Sequence, residues 1–381
     1  MKIAFVLGEH SADLIGADLL RGLRTLALEP VTAVGLGGSA MRAEGLKSLF
    51  DIEELSIIGI GAILSRLPQL WRRIDQTVEH VLSEAPDALV TIDSFTFTNR
   101  VAARVRKARP GMAIVNVVPP AVWAYRPKRI EKLSAAVDHA ICLFPFEPDV
   151  IKSLGGPPAT YTGHPLMAHP GLLPQMTRPR RTLGARPTLL ILPGSRRGEV
   201  DRLGADFGRT LAFLMARMPE LRAVVPVVDR VRPQVEAAVS TWDVKPELVF
   251  GEAAKWQAFA QADAALAASG TVALELALAG IPTVIAYRLD PVAYRVRHII
   301  SGWTAVLPNL IVDHPLIPEH FHEFVRADLL GRRLQRLLTD TPERDAQLAG
   351  FKDVRARMAV PHPPGEAGAR IILEAIEKRR T

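Results

Sequence analysis

"AALAASGTVALELALAGIPTVIAY", residues 264–287, is the most apolar stretch of the chain, and how it is read decides the fold. As one segment it is long enough to cross a bilayer, which needs about 20 apolar residues. Ser269-Gly270, Glu275 and Gly280-Ile281-Pro282 interrupt it. They cut it into a short apolar run, a helix-length run, a turn and a second short apolar run. The stretch therefore reads as strand, helix, turn and strand, and strands joined by a helical crossover lie parallel.

The same alternation extends through the chain. Strands are expected at Ile3–Leu7, Ala88–Ile92, Ala113–Val117, His139–Phe144, Thr188–Leu192, Ala223–Val227, Leu248–Phe250, Ala264–Ala267 and Thr283–Ala286. Helix-length segments such as Leu14–Thr25, Pro68–Ser83 and Val272–Ala279 lie between them. The pattern predicts an α/β fold with parallel sheets. Gly163 to Pro187 is dense in proline, glycine and arginine and lacks a period, so residues 166–187 read as a linker. The expected architecture is two Rossmann-like, doubly wound domains, 1–165 and 188–350, facing across a cleft. Helices in 351–381 are expected to pack back on the first domain. Ligands of such sheets bind beyond the carboxyl ends of the strands.

With 381 residues, 48% of them hydrophobic, the chain can bury a sizeable core. Cys142 is its one cysteine and lies in an apolar run, so it reads as a core residue, with no disulfide framework and no cysteine metal cluster. The formal net charge of +7 favours an anionic partner: nucleic acid, a phosphorylated substrate or an anionic membrane. Nucleic acid is the weaker reading, because aromatic residues are only 6% and no zinc-finger or single-strand-binding signature accompanies the charge. "MKIAFVLGEH" is expected to be a first strand and not a secretory signal, since its apolar run is short and breaks at Glu9-His10.

Five stretches carry candidate chemistry. "LLILPGSRRGEV", 189–200, is a strand entering Gly194-Ser195-Arg196. Free amides at the following helix start, with guanidinium groups beside them, suit a phosphate; the bland reading is an ordinary turn with solvated arginines. In 267–288, Ser269, Gly270 and Thr271 open a second helix whose positive end suits an anion. Glu275 stands one turn further on, either to accept ribose hydroxyls or only to favour the helix dipole. "GEHSAD", 8–13, sets Glu9, His10 and Asp13 in a strand-to-helix loop. "IGIGAILSRLPQLWRRI", 58–74, has apolar helical spacing broken at Pro68, with Trp71 and with Arg66, Arg72 and Arg73 interspersed. That suits a membrane interface or an acyl-phosphate ligand, or equally a helix packing on its own domain. "TIDSFTFTNR", 91–100, ends a buried strand in Asp93, a candidate base or a loop cap. His314, Glu319, His320 and His322 match no zinc spacing, and no metal is assigned.

Together these stretches resemble the lipid-A-disaccharide synthase family over nearly the whole chain. The carriers are "GEHSAD", "GLGGSAMRAEGLKSLFDIEELSIIGI", "PPAVWAYRPKRI", "LFPFEPDV", "GHPL", "LPGSRRGEV", "ASGTVALE", "IPTVIAYR" and "LPNLI". The resemblance implies the two-domain GT-B fold and an inverting transfer without cofactor. UDP-2,3-diacylglucosamine would be joined to 2,3-diacylglucosamine 1-phosphate, giving a β-1,6-linked disaccharide phosphate and UDP. It also implies UDP in the C-terminal half: Gly194, Ser195 and Arg196 with Ser269, Gly270 and Thr271 at the pyrophosphate, Glu275 at the ribose, and Arg288 and Asn309 lining the same cleft. The segment with Arg66, Trp71, Arg72 and Arg73 would meet the acceptor and the anionic inner-membrane surface from the cytoplasmic side. Family members can be homodimers. This sequence departs from the family pattern at three places that bear on the chemistry. Thr96 stands where the family places its catalytic acid, leaving Asp93 as the retained one. His10 stands where alanine is usual, and "NVVPPAVW", beginning at Asn116, replaces a serine-bearing stretch. The base is therefore expected among Asp93, His10 and Asp13. The alternatives are a catalytically weakened paralogue that binds nucleotide sugar or lipid as a scaffold, and another UDP-N-acetylglucosamine enzyme of the same architecture.

Overall fold

The computed structural model describes residues 1–55, 60–124, 126–178, 182–290, 294–295 and 302–380, with only the backbone described at 10–11 and 60–67. The chain divides into two compact units, Met1–Pro165 with Val360–Thr381, and Leu166–Ala359.

The first unit is built on a six-stranded sheet: β1 (Lys2–Leu7), β2 (Thr32–Leu36), β3 (Ala88–Ile92), β4 (Ala113–Val117), β5 (His139–Cys142) and β6 (Ala159–Tyr161). Their order is β2-β1-β3-β4-β5-β6, and every pairing is parallel. Alternate residues of each strand feed opposite faces. Ile3, Phe5 and Leu7 pack under the helices His10–Leu26 and Pro364–Arg380. Ala4 and Val6 pack with Ile74, Val101 and Ile130 on the other side. The terminal helix lies so close to His10–Leu26 that a Cβ at Gly22 would strike the carbonyl of Gly365. Cys142 is buried in this core, and burial pushes its thiol pKa up, so it stays protonated.

The second unit repeats the plan with β7 (Thr188–Leu192), β8 (Arg222–Val227), β9 (Glu247–Phe250), β10 (Ala264–Ala268), β11 (Thr283–Tyr287) and β12 (Glu319–Phe321). The order is β12-β11-β10-β7-β8-β9, again all parallel. The stretch 264–287 forms β10, the helix Thr271–Ala279 and β11, with Ala265 in register with Thr283. Gly280, at φ +72°, ends that helix in the left-handed region.

Three strands were not legible in the sequence: β2, β6 and β12. All are edge strands, and β6 and β12 are three residues long and partly exposed. An edge strand need not be apolar on both faces, so it leaves no continuous hydrophobic run. Pro68 does not break its helix, which runs from Ile60 to Glu84. No helix among the described residues is long and apolar enough to cross a membrane.

Candidate active site

Each sheet has one place where the chain, after adding strands on one side, returns to add them on the other. In the first sheet this lies between β1 and β3, in the second between β7 and β10. Loops leaving the carboxyl ends diverge there and leave a crevice for a ligand.

In the second unit that crevice is a cavity of about 500 Å³. Gly194, Ser195 and Arg196 line it after β7, and Ser269, Gly270, Thr271 and Glu275 after β10. Pro226, Val227 and Val235 form an apolar wall. Gly194 has φ +125° and Gly270 φ +146°, values that side chains rarely adopt, so glycine is required at both turns. The helix Thr271–Ala279 begins without a side-chain cap, which leaves its N-terminus, with its partial positive charge, at the cavity.

One expectation is corrected here. The amides after β7 are not free: buried Glu199 accepts from Ser195 N at 3.0 Å and Arg196 N at 3.2 Å. Glu199 sits three residues into the helix and reaches back to the N-cap amide, which is the acid half of a capping box. Its backbone work is to fix the turn, while the Arg196 side chain is 77% exposed. Glu275 is paired with Lys255, Oε2 to Nζ at 2.6 Å. Lys255, which also lines the cavity and rides over the Trp256 ring, left no signal in the sequence because it lies twenty residues from its partner.

Arg288 and Asn309 do not line this cavity. Arg288 binds the buried carboxylate of Asp206 at 2.9 Å and the Val325 carbonyl at 3.2 Å. Asn309 is fully buried; its amide donates to the Ile317 carbonyl and its oxygen accepts from Ile317 N at 2.8 Å. It also reaches Glu319, which accepts from Ala305 N at 3.0 Å, while the Ala305 carbonyl accepts from Ser269 Oγ at 3.1 Å. The network ends at the helix start that faces the cavity.

In the first unit the crevice is made by side chains on strained backbone. Asp93 (φ +56°), Ser94 (φ +46°) and, after β4, Val118 (φ +60°) all take the left-handed conformation without being glycine. Such strain persists only where the surroundings impose it, and it gathers at functional sites. Asp93 N donates to the Val117 carbonyl at 2.9 Å, the Thr98 hydroxyl donates to the Asp93 carbonyl at 2.7 Å, and Ser94 N donates to Asp93 Oδ1 at 2.6 Å. Burial raises the Asp93 carboxyl pKa above its ordinary value, against the lowering effect of that last bond.

A Cβ on Gly8 would collide with the Ser94 side chain, so the loops after β1 and β3 are in contact. His10 opens the helix that follows Gly8 and Glu9; its side chain lies outside the described residues. Asp13 is only 3% exposed, and its two oxygens accept from the amides of Gly38, Ala40 and Met41 at 2.6–3.2 Å. Thr96 is exposed in the first turn of the helix Phe95–Ala108. Asn116 is buried inside the sheet and donates to the Thr91 hydroxyl at 3.1 Å.

Arg66 has no described side chain. Trp71 is 43% exposed, with the guanidiniums of Arg100 and Arg104 over its ring at 5.2 and 5.5 Å. Arg72 is exposed, whereas Arg73 pairs with Glu54 and stacks on Phe50.

A family model described as Lipid-A-disaccharide synthetase matches residues 3–360. The chain is similar to the lipid-A-disaccharide synthase of Nitrobacter hamburgensis, 43% identical over 100% of this chain and 96% of that protein. It is also similar to that of Rhodopseudomonas palustris strain HaA2, at 44% over 99% and 97%. Among solved structures, MurG of Acinetobacter baumannii superposes with a TM-score of 0.61 at 13% identity, covering 98% of this chain and 99% of that one. At that identity the likeness is one of fold, the GT-B glycosyltransferase fold.

Proposed function

The chain belongs to the lipid-A-disaccharide synthase family, and on that premise we propose how its two crevices divide the reaction. The enzyme is a glycosyltransferase that joins UDP-2,3-diacylglucosamine to 2,3-diacylglucosamine 1-phosphate. The acceptor's 6-hydroxyl oxygen attacks the anomeric carbon of the donor. The bond from that carbon to the UDP oxygen breaks, UDP leaves with the electron pair, and the hydroxyl proton passes to a base.

The second unit holds UDP. The observation that carries this assignment is the 500 Å³ cavity at the sheet's reversal point, with an uncapped helix start and a carboxylate one turn beyond it. The pyrophosphate lies at Gly270-Thr271, with Ser195 and Arg196 opposite, where dipole and guanidinium stabilise the leaving charge. Glu275, paired with Lys255, accepts the ribose hydroxyls. Arg288 and Asn309 act at one remove: they hold the elements that carry the cavity wall.

In the first unit Asp93 is the base. It stands at the reversal point, and its raised pKa makes it a better proton acceptor than an ordinary carboxylate. Asp13 is occupied by three amides, so its part is to position the loop. His10 is the alternative base, because its helix begins beside Ser94. Exposed Trp71 and Arg72 give the helix Ile60–Glu84 an interfacial character that suits peripheral binding to the cytoplasmic side of the inner membrane. The test is incubation with both substrates and detection of disaccharide 1-phosphate by mass. No product from the wild-type chain refutes the reading; product from Asp93→Asn but not from His10→Ala moves the base to His10.

A further inference from the structure

The first unit holds another cavity, of about 580 Å³ and lined from Phe95 onward, two residues after Asp93 in the chain, which the assignments above leave unused. It is lined by five cationic side chains, Arg100, Arg126, Lys128, Arg129 and Lys132, and by no carboxylate. Two elements distant in sequence make it: the first turns of the helix Phe95–Ala108 and the loop and short helix that run through 126–132. Part of the basic lining is held in place. Arg100 stands over the Trp71 ring and donates to the Thr96 carbonyl at 2.5 Å, and Arg129 stands over the Phe95 ring at 5.5 Å. Among the described residues, Lys128 and Lys132 pair with no carboxylate. Like charges gathered along one cavity repel one another, and an anionic ligand relieves that repulsion.

A second observation narrows the ligand. Asn99 lines the same cavity, is only 9% exposed, and its side-chain oxygen has no hydrogen-bond partner. A buried acceptor left unpaired is costly, so it wants a donor. A fully ionised phosphomonoester offers none, whereas the sugar that carries it offers both: anionic oxygens for the cations and a hydroxyl for Asn99.

We propose that this cavity binds the phosphomonoester of the acceptor and, through Asn99, an adjoining group of its sugar. The inference rests on the reaction assigned above. There the acceptor enters bearing a phosphomonoester at carbon 1 while the donor carries a diphosphate diester at the same carbon. The monoester ends in three free oxygens on one phosphorus, whereas both phosphates of the donor are bridged, so a compact cluster of cations fits the monoester and the cavity tells acceptor from donor. Because the helix that lines it begins two residues after Asp93, the bound phosphate orients the sugar next to the base. The segment read from sequence as the phosphate contact, 58–74, is then left with the acyl chains and the membrane; Arg100, over Trp71, joins the two surfaces.

The experiment uses the full chain with Lys128→Ala and Lys132→Ala combined. Both side chains are exposed, so folding is not at stake. The KM for diacylglucosamine 1-phosphate should rise about tenfold or more, with kcat at saturating acceptor and the KM for UDP-diacylglucosamine unchanged. The preference for phosphorylated over dephosphorylated acceptor should shrink by the same factor. Inorganic phosphate should compete with the acceptor in the wild type and much less in the variant. Asn99→Ala should weaken the sugar phosphate and leave inhibition by inorganic phosphate as it was. An unchanged acceptor KM in the lysine variant overturns the proposal. So does reduced flotation on vesicles of anionic phospholipid with acceptor KM unmoved, which would make the cavity a headgroup site. If the wild type forms no disaccharide, the assigned reaction falls. Equilibrium binding of the monosaccharide with and without its phosphate still decides the cavity, since it needs no turnover.

Discussion

At the reversal point of the first sheet the chain turns on Asp93 and Ser94, two non-glycine residues in left-handed conformation, and the cavity alongside is basic. At the reversal point of the second it turns on Gly194 and Gly270, and the lining carries Glu199, Asp229, Glu252 and Glu275 against Arg196 and Lys255. The topology at these two places is alike; the loop chemistry is opposite. Glycine serves where backbone must come close to a ligand, and a strained side-chain-bearing residue serves where a functional group must be aimed. The sheets supply positions, and the loops supply the activity.

The sharpest way to break this contrast is at Asp93. Asp93→Asn should lower kcat by about 10²–10⁴-fold, the usual worth of a general base, with UDP affinity unmoved. It should also make the protein more stable at neutral pH. A carboxyl whose folded pKa is raised holds its proton more tightly in the native state, so its contribution declines as pH rises from the unfolded value through the folded one. Asn has no charge to bury. Thermal denaturation at pH 7 showing a less stable variant would point to Asp93 as a mere loop cap.

The second unit is tested at its ligands. Arg196→Ala and Glu275→Ala should each weaken UDP by roughly 1.5–3 kcal/mol, the size of a charge-assisted contact. Calorimetry reads this directly. Gly194→Ala should do worse than either, because the new Cβ meets Glu199 in a backbone conformation that alanine rarely adopts. Full UDP affinity in all three would empty the cavity of its assigned ligand.

At the face proposed to meet the membrane the effects are smaller. Replacing Arg72 by glutamate should cost about 1 kcal/mol of binding to anionic vesicles per charge removed, and more salt should weaken what remains. Arg73→Glu should instead lower stability, since it breaks the pair with Glu54 and the stacking on Phe50. Equal loss of flotation from both would mean that the structural distinction between them is wrong.

The smallest effect is a slope. Glu147, buried beneath the loop after β5, has its carboxyl raised to about 7 by burial, against the amides of Phe144 and Leu143, which donate to it at 3.0 Å. Its folded pKa exceeds the ordinary 4.5, so its contribution to stability is full below 4.5 and declines as pH rises through about 7. Glu147→Gln, which keeps an oxygen for the two amides, should flatten the fall in melting temperature between pH 5 and 8. A slope equal to that of the wild type removes Glu147 as its source.

Much of this molecule was legible in its sequence. Buried parallel strands must be apolar on both faces, so the eight inner strands showed as apolar runs, as did the edge strand β9, and the helices between them showed as period and length. Glycines at strand ends marked both turns of the second cavity, because few other residues tolerate those dihedral angles. What the sequence could not show was pairing across distance. Lys255 neutralising Glu275, Asp206 taking Arg288 and Asp13 spent on three amides each turn a candidate ligand group into a structural one, or a plain residue into a candidate. The basic cavity is the same lesson: Arg100 and Lys132 belong to separate helices, and only the packing of those helices on one face of the sheet brings their charges to a single site. Strand and helix patterns are local and repeat along the chain, so they can be read from it; the partner of a polar group is set by the sheet order, which depends on every crossover at once.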